Sequence, residues 1–210
     1  MDGVLLMSPQ IHAEAFHAVL ENEGIADKFS YELYLGRKTS NVFRDFYQAL
    51  NIKLDEEKLK ELTENKRRIA NQRISEEFPV DNDLIQKLEK LPSSVTLSLA
   101  SSASRKNVDL FLDKSGLRSR FGFTISGDEV ENAKPNPEIF ARCLQAVTGS
   151  AEEALVIEDS TAGIEAASRL GINSVGIEGL CTKEELENSG AKVVYKKTIN
   201  FIEEYEKEHL

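Results

Sequence analysis

The chain has 210 residues, 40% of them hydrophobic, enough to bury one large core or a core plus a smaller unit. A net charge of -10, from 26 basic and 36 acidic residues, argues against general nucleic-acid binding, and no run of Lys and Arg offsets it. Cys143 and Cys181 are too few for a disulfide framework or a cysteine metal site, and no apolar run reaches membrane-spanning length. These features predict a cytoplasmic protein with no nucleic-acid or membrane partner; they are silent on oligomeric state, for which a monomer is the default.

Asp2 and Gly3 stand at the start of a mostly apolar stretch that Ser8-Pro9 breaks. Helical spacing over 11–20 (Ile11, Ala15, Phe16, Val19, Leu20) stops at Gly24. Residues 31–35 lead into Gly36-Arg37-Lys38-Thr39, and Thr39 or Ser40 can cap a helix running to Leu50. A long charged helix over 55–74 follows, with Leu59, Leu62, Ile69 and Ile74 as its apolar line. Its Lys66-Arg67-Arg68 cluster reads as a solvated face. Phe78-Pro79 closes this all-helical section.

From Asp81 the rhythm changes. Helices over 84–91, 105–115, 137–147, 182–188 and 199–208, and one after Ser160, alternate with strands over 95–100, 123–126, 155–157, 173–176 and 193–195. Such alternation predicts the α/β class, with a doubly wound parallel sheet and right-handed crossovers. Residues 1–8 and 80–210 would form this core, and residues 9–79 an inserted all-helical unit.

Ligands of an open parallel sheet bind beyond the carboxyl ends of its strands. Leu155-Val156-Ile157 runs straight into Glu158 and Asp159, and adjacent acids repel unless a cation neutralises them. Hard oxygens completed by water suit magnesium. An acidic strand end with Asp159 or Ser160 capping the next helix is an equal reading. Leu97-Ser98-Leu99-Ala100 ends in Ser101-Ser102-Ala103-Ser104 before a helix, where hydroxyls beside free N–H groups make a phosphate pocket or a plain cap. Lys134, between Ala133 and Pro135-Asn136-Pro137, is expected on a stiff, exposed loop. Its replacement by Ala would then cost under about 1 kcal/mol.

Taken in order, Asp2-Gly3-Val4, Ser101, Lys134 and Glu158-Asp159 resemble the motif series of the haloacid dehalogenase superfamily. The resemblance is to its branch of beta-phosphoglucomutase-like and phosphoglycolate-phosphatase-like enzymes, and covers nearly the whole chain. Its most specific strings are Lys134-Pro135-Asn136-Pro137-Glu138-Ile139-Phe140 and Ile157-Glu158-Asp159-Ser160-Thr161-Ala162-Gly163-Ile164. A receiver domain also combines acids, a hydroxyl and a lysine, but there the acidic pair comes early and the lysine last.

The resemblance implies a Rossmann-like core with a helical cap, a Mg2+ cofactor, and phosphoryl transfer through an aspartyl-phosphate. It assigns Asp2 to general acid/base work and, with Glu158 and Asp159, to the metal. Ser101, Ser102 and Lys134 would hold the phosphoryl oxygens, Lys134 also serving catalysis. His12, Gly36, Arg37 and Thr39 would face substrate from the cap, although His12 reads equally as a polar residue at a helix start. His17 and His209 read as surface residues.

Two departures stand out. The family's nucleophilic Asp lies two residues before the acid/base, which here would precede Met1 together with most of the first strand, leaving the α-amino group near Glu158 and Asp159. Met7 occupies a place where relatives carry Asp. Thr39 stands where the mutase has Arg, which favours a magnesium-dependent phosphatase of small phosphorylated metabolites, sugar or polyol phosphates. A sugar-phosphate mutase is one alternative, and a non-catalytic protein that binds a phosphorylated ligand is the other.

Overall fold

The computed structural model describes residues 1–147 and 149–209. Its first third is helical: α1 (Pro9–Asn22), α2 (Thr39–Ala49) and α3 (Glu56–Glu77). Pro9 opens α1, where its fixed φ suits a helix and its missing N–H has no partner to lose. The Asp55 carboxylate caps α3 by accepting the Lys58 N–H at 2.8 Å. Neither Thr39 nor Ser40 caps α2. The extended residue Lys38 takes the N-cap place without a side-chain bond, so Thr39 is already inside the helix.

These helices bury a cluster of their own, including Phe16, Leu20, Phe43, Phe46, Leu59 and Leu62. Phe16 meets Phe43, and Phe29 meets Phe46, edge-on with ring centroids 5.1 Å apart. We propose residues 9–79 as the cap on this ground. Ile11 and Ile74 depart from it, packing into the main cluster of the sheet.

The remainder alternates as expected. It runs α4 (Asn82–Lys90), β1 (Leu97–Ser101), α5 (Arg105–Ser115), β2 (Phe121–Ser126) and α6 (Glu138–Val147). Then follow β3 (Leu155–Glu158), α7 (Thr161–Ser168), β4 (Asn173–Ile177), α8 (Lys183–Asn188), β5 (Val193–Tyr195) and α9 (Thr198–His209). All strand pairs are parallel. Leu97 and Leu99 of β1, Ile157 of β3 and Val175 of β4 share one cluster with α4, α5 and α9. Ala100, Ile125 and Val156 share another with α6 and α7 on the opposite face. Alternate residues thus face alternate helical layers, the doubly wound arrangement.

One difference is topological. The strands form two ladders, β1-β2 and β3-β4-β5, which no strand joins among the described residues. Residues 1–6 make a turn instead, with the Gly3 N–H bonded to the Leu6 carbonyl at 2.8 Å and isolated bridges Asp2↔Leu6 and Leu6↔Val80. In a 3-2-1-4-5-6 order the innermost strand would fill the interval between β1 and β3. Leu155 of β3 is 45% exposed, and Val156 and Ile157 are only partly buried. Among the described residues no helix is long and apolar enough to cross a membrane.

Candidate active site

One pocket gathers the tips of β1 and β3, the turn at residues 1–3, the loop before α6, and the inner faces of the cap helices. Every residue singled out above for a site role lines it or abuts it: Asp2, His12, Gly36, Arg37, Thr39, Ser101, Ser102, Lys134, Glu158 and Asp159.

Lys134 is not exposed. It is 6% accessible, paired with Glu158 Oε1, and stands 4.7 Å above the Phe140 ring. Its loop folds inward because the buried Glu158 carboxylate needs a counter-charge. Burial pushes Glu158 up, but Lys134, the Met1 α-amino group and Ser160 outweigh that and hold it below its ordinary value. Glu158 Oε2 accepts the Ser160 hydroxyl at 2.9 Å, and Ser160, not Asp159, caps α7. A Cβ on Gly163 would fall 2.2 Å from the Glu158 carboxyl carbon, so only glycine leaves room for this pairing.

Asp2 Oδ1 accepts the Ser8 hydroxyl and lies 3.0 Å from His12 Nε2. Burial pushes Asp2 up, but His12, the α-amino group and Ser8 outweigh it, so the carboxyl stays ionised well below its ordinary range. His12 Nδ1 lies 2.8 Å from Lys66 Nζ. Burial first, then the Lys66 charge, lowers His12 despite the opposing pull of Asp2. Lys66 itself is 4% accessible, sits 4.5 Å over the Phe16 ring, and is pushed down to about 7 chiefly by burial. The solvated-face reading therefore holds for the exposed Arg68 and fails for Lys66, which the helical turn carries inward.

Four polar pocket residues escaped the sequence reading: Lys66, Arg67, Tyr31 and Asn107. Lys66 carried a signal, falling four residues after Leu62 and four before Ala70 on the buried line of α3. Tyr31 packs on Phe16 with centroids 5.5 Å apart, and burial with the charges of Asp2 and Asp159 keeps its phenol protonated. Asn107 is buried and its Oδ1 has no partner. Ser102 Oγ donates to the Gly36 carbonyl at 2.6 Å, so its hydroxyl ties the cap loop to the core. Ser101 Oγ accepts the Ala103 N–H at 3.1 Å. Arg37 turns to Asp45 at 2.8 Å. Met7, His17 and His209 are exposed and outside the pocket.

The carboxylates suit a magnesium ion only in part. Among the described residues no three His, Cys, Asp or Glu side chains form a ready metal cage. Glu158 is committed to Lys134, and Asp2 Oδ1 to Ser8 and His12. Asp159 is the uncommitted acid, raised to about 7 by burial, then by Glu158, with Asp2 adding to it. It lies against the backbone of Gly3 (φ +71), where a Cβ would come 1.8 Å from Asp159 Oδ2. Magnesium needs only one or two carboxylates and keeps several waters, so Asp159 alone suits it as a charged ligand.

The sign of the Asp159 shift fixes a prediction. An unfolded Asp releases its proton near 3.8 and the folded one near 7, so stability is lost as pH rises between them. Asp159→Asn should raise the melting temperature of metal-free protein at pH 7.5 by about 5 °C or more, and change it little at pH 3.5. Magnesium should stabilise the parent and leave the variant unmoved. Equal pH profiles for the two proteins would refute this.

Residues 1–177 match the family model of haloacid dehalogenase-like hydrolases. A phosphorylated carbohydrates phosphatase of Thermotoga maritima is 30% identical over 180 residues, covering 83% of this chain and 81% of that protein. The crystal structure of a beta-phosphoglucomutase from Clostridium difficile superposes with a TM-score of 0.83 at 25% identity, over 99% of this chain and 92% of that one. A hydrolase from Pseudomonas syringae gives a TM-score of 0.84 at 21% identity, over 98% and 95%. The order of acid, hydroxyl, lysine and acid pair around one pocket, the doubly wound layers, and a match spanning most of the sequence agree: the chain belongs to the haloacid dehalogenase-like hydrolases.

Proposed function

We propose that this protein is a magnesium-dependent phosphatase of small phosphorylated metabolites, sugar or polyol phosphates. The observation that carries the reading is the convergence of Lys134, Ser101, Asp2 and Asp159 on one pocket. Lys134 and the N–H groups after Ser101 would hold the phosphoryl oxygens, whose charge grows during transfer. Magnesium, held by Asp159 and the Asp2 backbone, would supply further positive charge there. Asp2, aimed by Ser8 and His12, would in its protonated form give a proton to the leaving oxygen and then, ionised, take one from the attacking water. Lys66, poised near neutrality beside His12, links that acid to the cap. The unpartnered Asn107 Oδ1 and Arg67 Nε would satisfy the hydroxyls of a polyol.

A mutase is the second reading, and Lys66 and Arg67 on the pocket wall favour it, since cap cations can hold a second phosphate. Incubation with beta-glucose 1-phosphate and magnesium separates the two. Release of inorganic phosphate from it and from several other small esters is expected. Clean conversion to the 6-phosphate, without release, would establish the mutase. Turnover of none of these esters would favour a third reading, ligand binding without turnover.

A further inference from the structure

Two neighbouring cations leave α3 in different directions. Lys66 reaches His12 within the cap, while Arg67 crosses to the core, its Nη2 donating to Asp128 Oδ1 at 2.9 Å. Asp128 belongs to the turn after β2, and its other oxygen, Oδ2, accepts the Arg105 N–H at the start of α5 at 3.0 Å. That turn is itself fastened to the serine loop, since the Gly127 N–H donates to the Ala103 carbonyl at 2.9 Å. On the opposite rim Ser102 bonds the Gly36 carbonyl at 2.6 Å. These two polar ties from the cap end on residues 101–105 or on the turn bonded to them, while His12 to Asp2 and Lys114 Nζ to the Ser75 carbonyl join the units elsewhere.

We propose that Arg67 and Asp128 are a positioning pair, an ionic tie that fixes α3 on the serine loop and so sets Lys66 against His12 and Asp2. The claim rests on the reading of Asp2 as acid/base only for its consequence in turnover. A helix advances about 100° per residue, so a roll of α3 that freed Arg67 from Asp128 would swing Lys66 off His12. The tie has side-chain exposures of 29% and 36%, open enough for salt to screen it. Closure of the cap over the pocket is thereby made sensitive to ionic strength.

Spin labels on Lys60→Cys and Lys106→Cys, exposed on α3 and α5, would report the cap-to-core distance, since both native cysteines are buried. Asp128→Asn keeps an acceptor for the Arg105 N–H while removing the charge. This variant and Arg67→Gln should lengthen and broaden the distance distribution at low salt. High salt should do the same to the parent, and Arg67→Lys should stay close to it. In parallel, the ring nitrogens of His12, one of three histidines, should shift at fixed pH in the two neutral variants and not in Arg67→Lys. Melting temperatures should agree within about 3 °C, as for surface changes. Unchanged distances, or an unmoved His12 signal despite longer distances, would overturn the proposal. Neither readout needs phosphate or turnover, so a protein without phosphatase activity would leave the tie standing.

Discussion

A short apolar strand ending in Asp, placed directly before Met1, is expected to bring magnesium-dependent hydrolysis of p-nitrophenyl phosphate well above that of the 210-residue chain. Two observations support this. Ser8 and His12 hold Asp2 Oδ1 in the orientation of an acid/base, and moving Asp2 would drag Gly3 away from Asp159. The interval between β1 and β3 is flanked by two parallel edges and by apolar layers on both faces. A parallel strand there would bond both ladders and cover Leu155, Val156 and Ile157, so its carboxylate would emerge beside Lys134. The melting temperature should rise with activity, by at least about 5 °C, at 2–4 °C per kcal/mol for a chain of this size. The extension also moves the α-amino group away from Glu158 and Asp159, which it now helps to neutralise. An extended protein with no gain in melting temperature would show that the interval takes no strand. If the unextended chain hydrolyses equally fast and Asp2→Asn abolishes both activities, the register of the first motif is wrong.

Lys134→Ala should cost far more than an exposed lysine would. It leaves the Glu158 carboxylate buried without its counter-charge, a loss of about 3–5 kcal/mol. The pH dependence follows from the sign of the Glu158 shift. A carboxyl held below its ordinary value contributes stability above the unfolded value of 4.5 and loses it as pH falls through the folded one. The deficit of the variant should therefore be full at pH 7 and shrink below about pH 4. Adding Glu158→Gln should restore part of it at pH 7, since the two side chains act as one unit. Denaturant melts of both variants would show this, and a deficit under about 1 kcal/mol at pH 7 would return Lys134 to the surface role first expected of it.

Much of the fold was legible because periodicity and caps are local. The ranges of α5 and β5 match the expected ones to the residue, and Asp55 and Ser160 cap the helices they precede. The strand-tip acids and the serine loop were legible for the same reason, since position in an alternating fold follows from order along the chain. What stayed hidden depends on partners far away in sequence. Lys134 is buried because Glu158, 24 residues on, calls for it. Lys66 lies beside two charged neighbours that conceal its place on the buried line of α3, and His12 lies 54 residues from it. Tyr31 and Arg67 enter the pocket only through the packing of cap on core. The turn at residues 1–6 had an apolar composition but lacks flanking ladder bonds to hold it extended.

Ile11 and Ile74 place the feet of both connecting helices inside the main apolar cluster. The two units are thus joined by packed shafts rather than by slack cord. Any widening of the cleft has to pivot on those feet, with the far end of the helical unit travelling most and the end near Asp2 least.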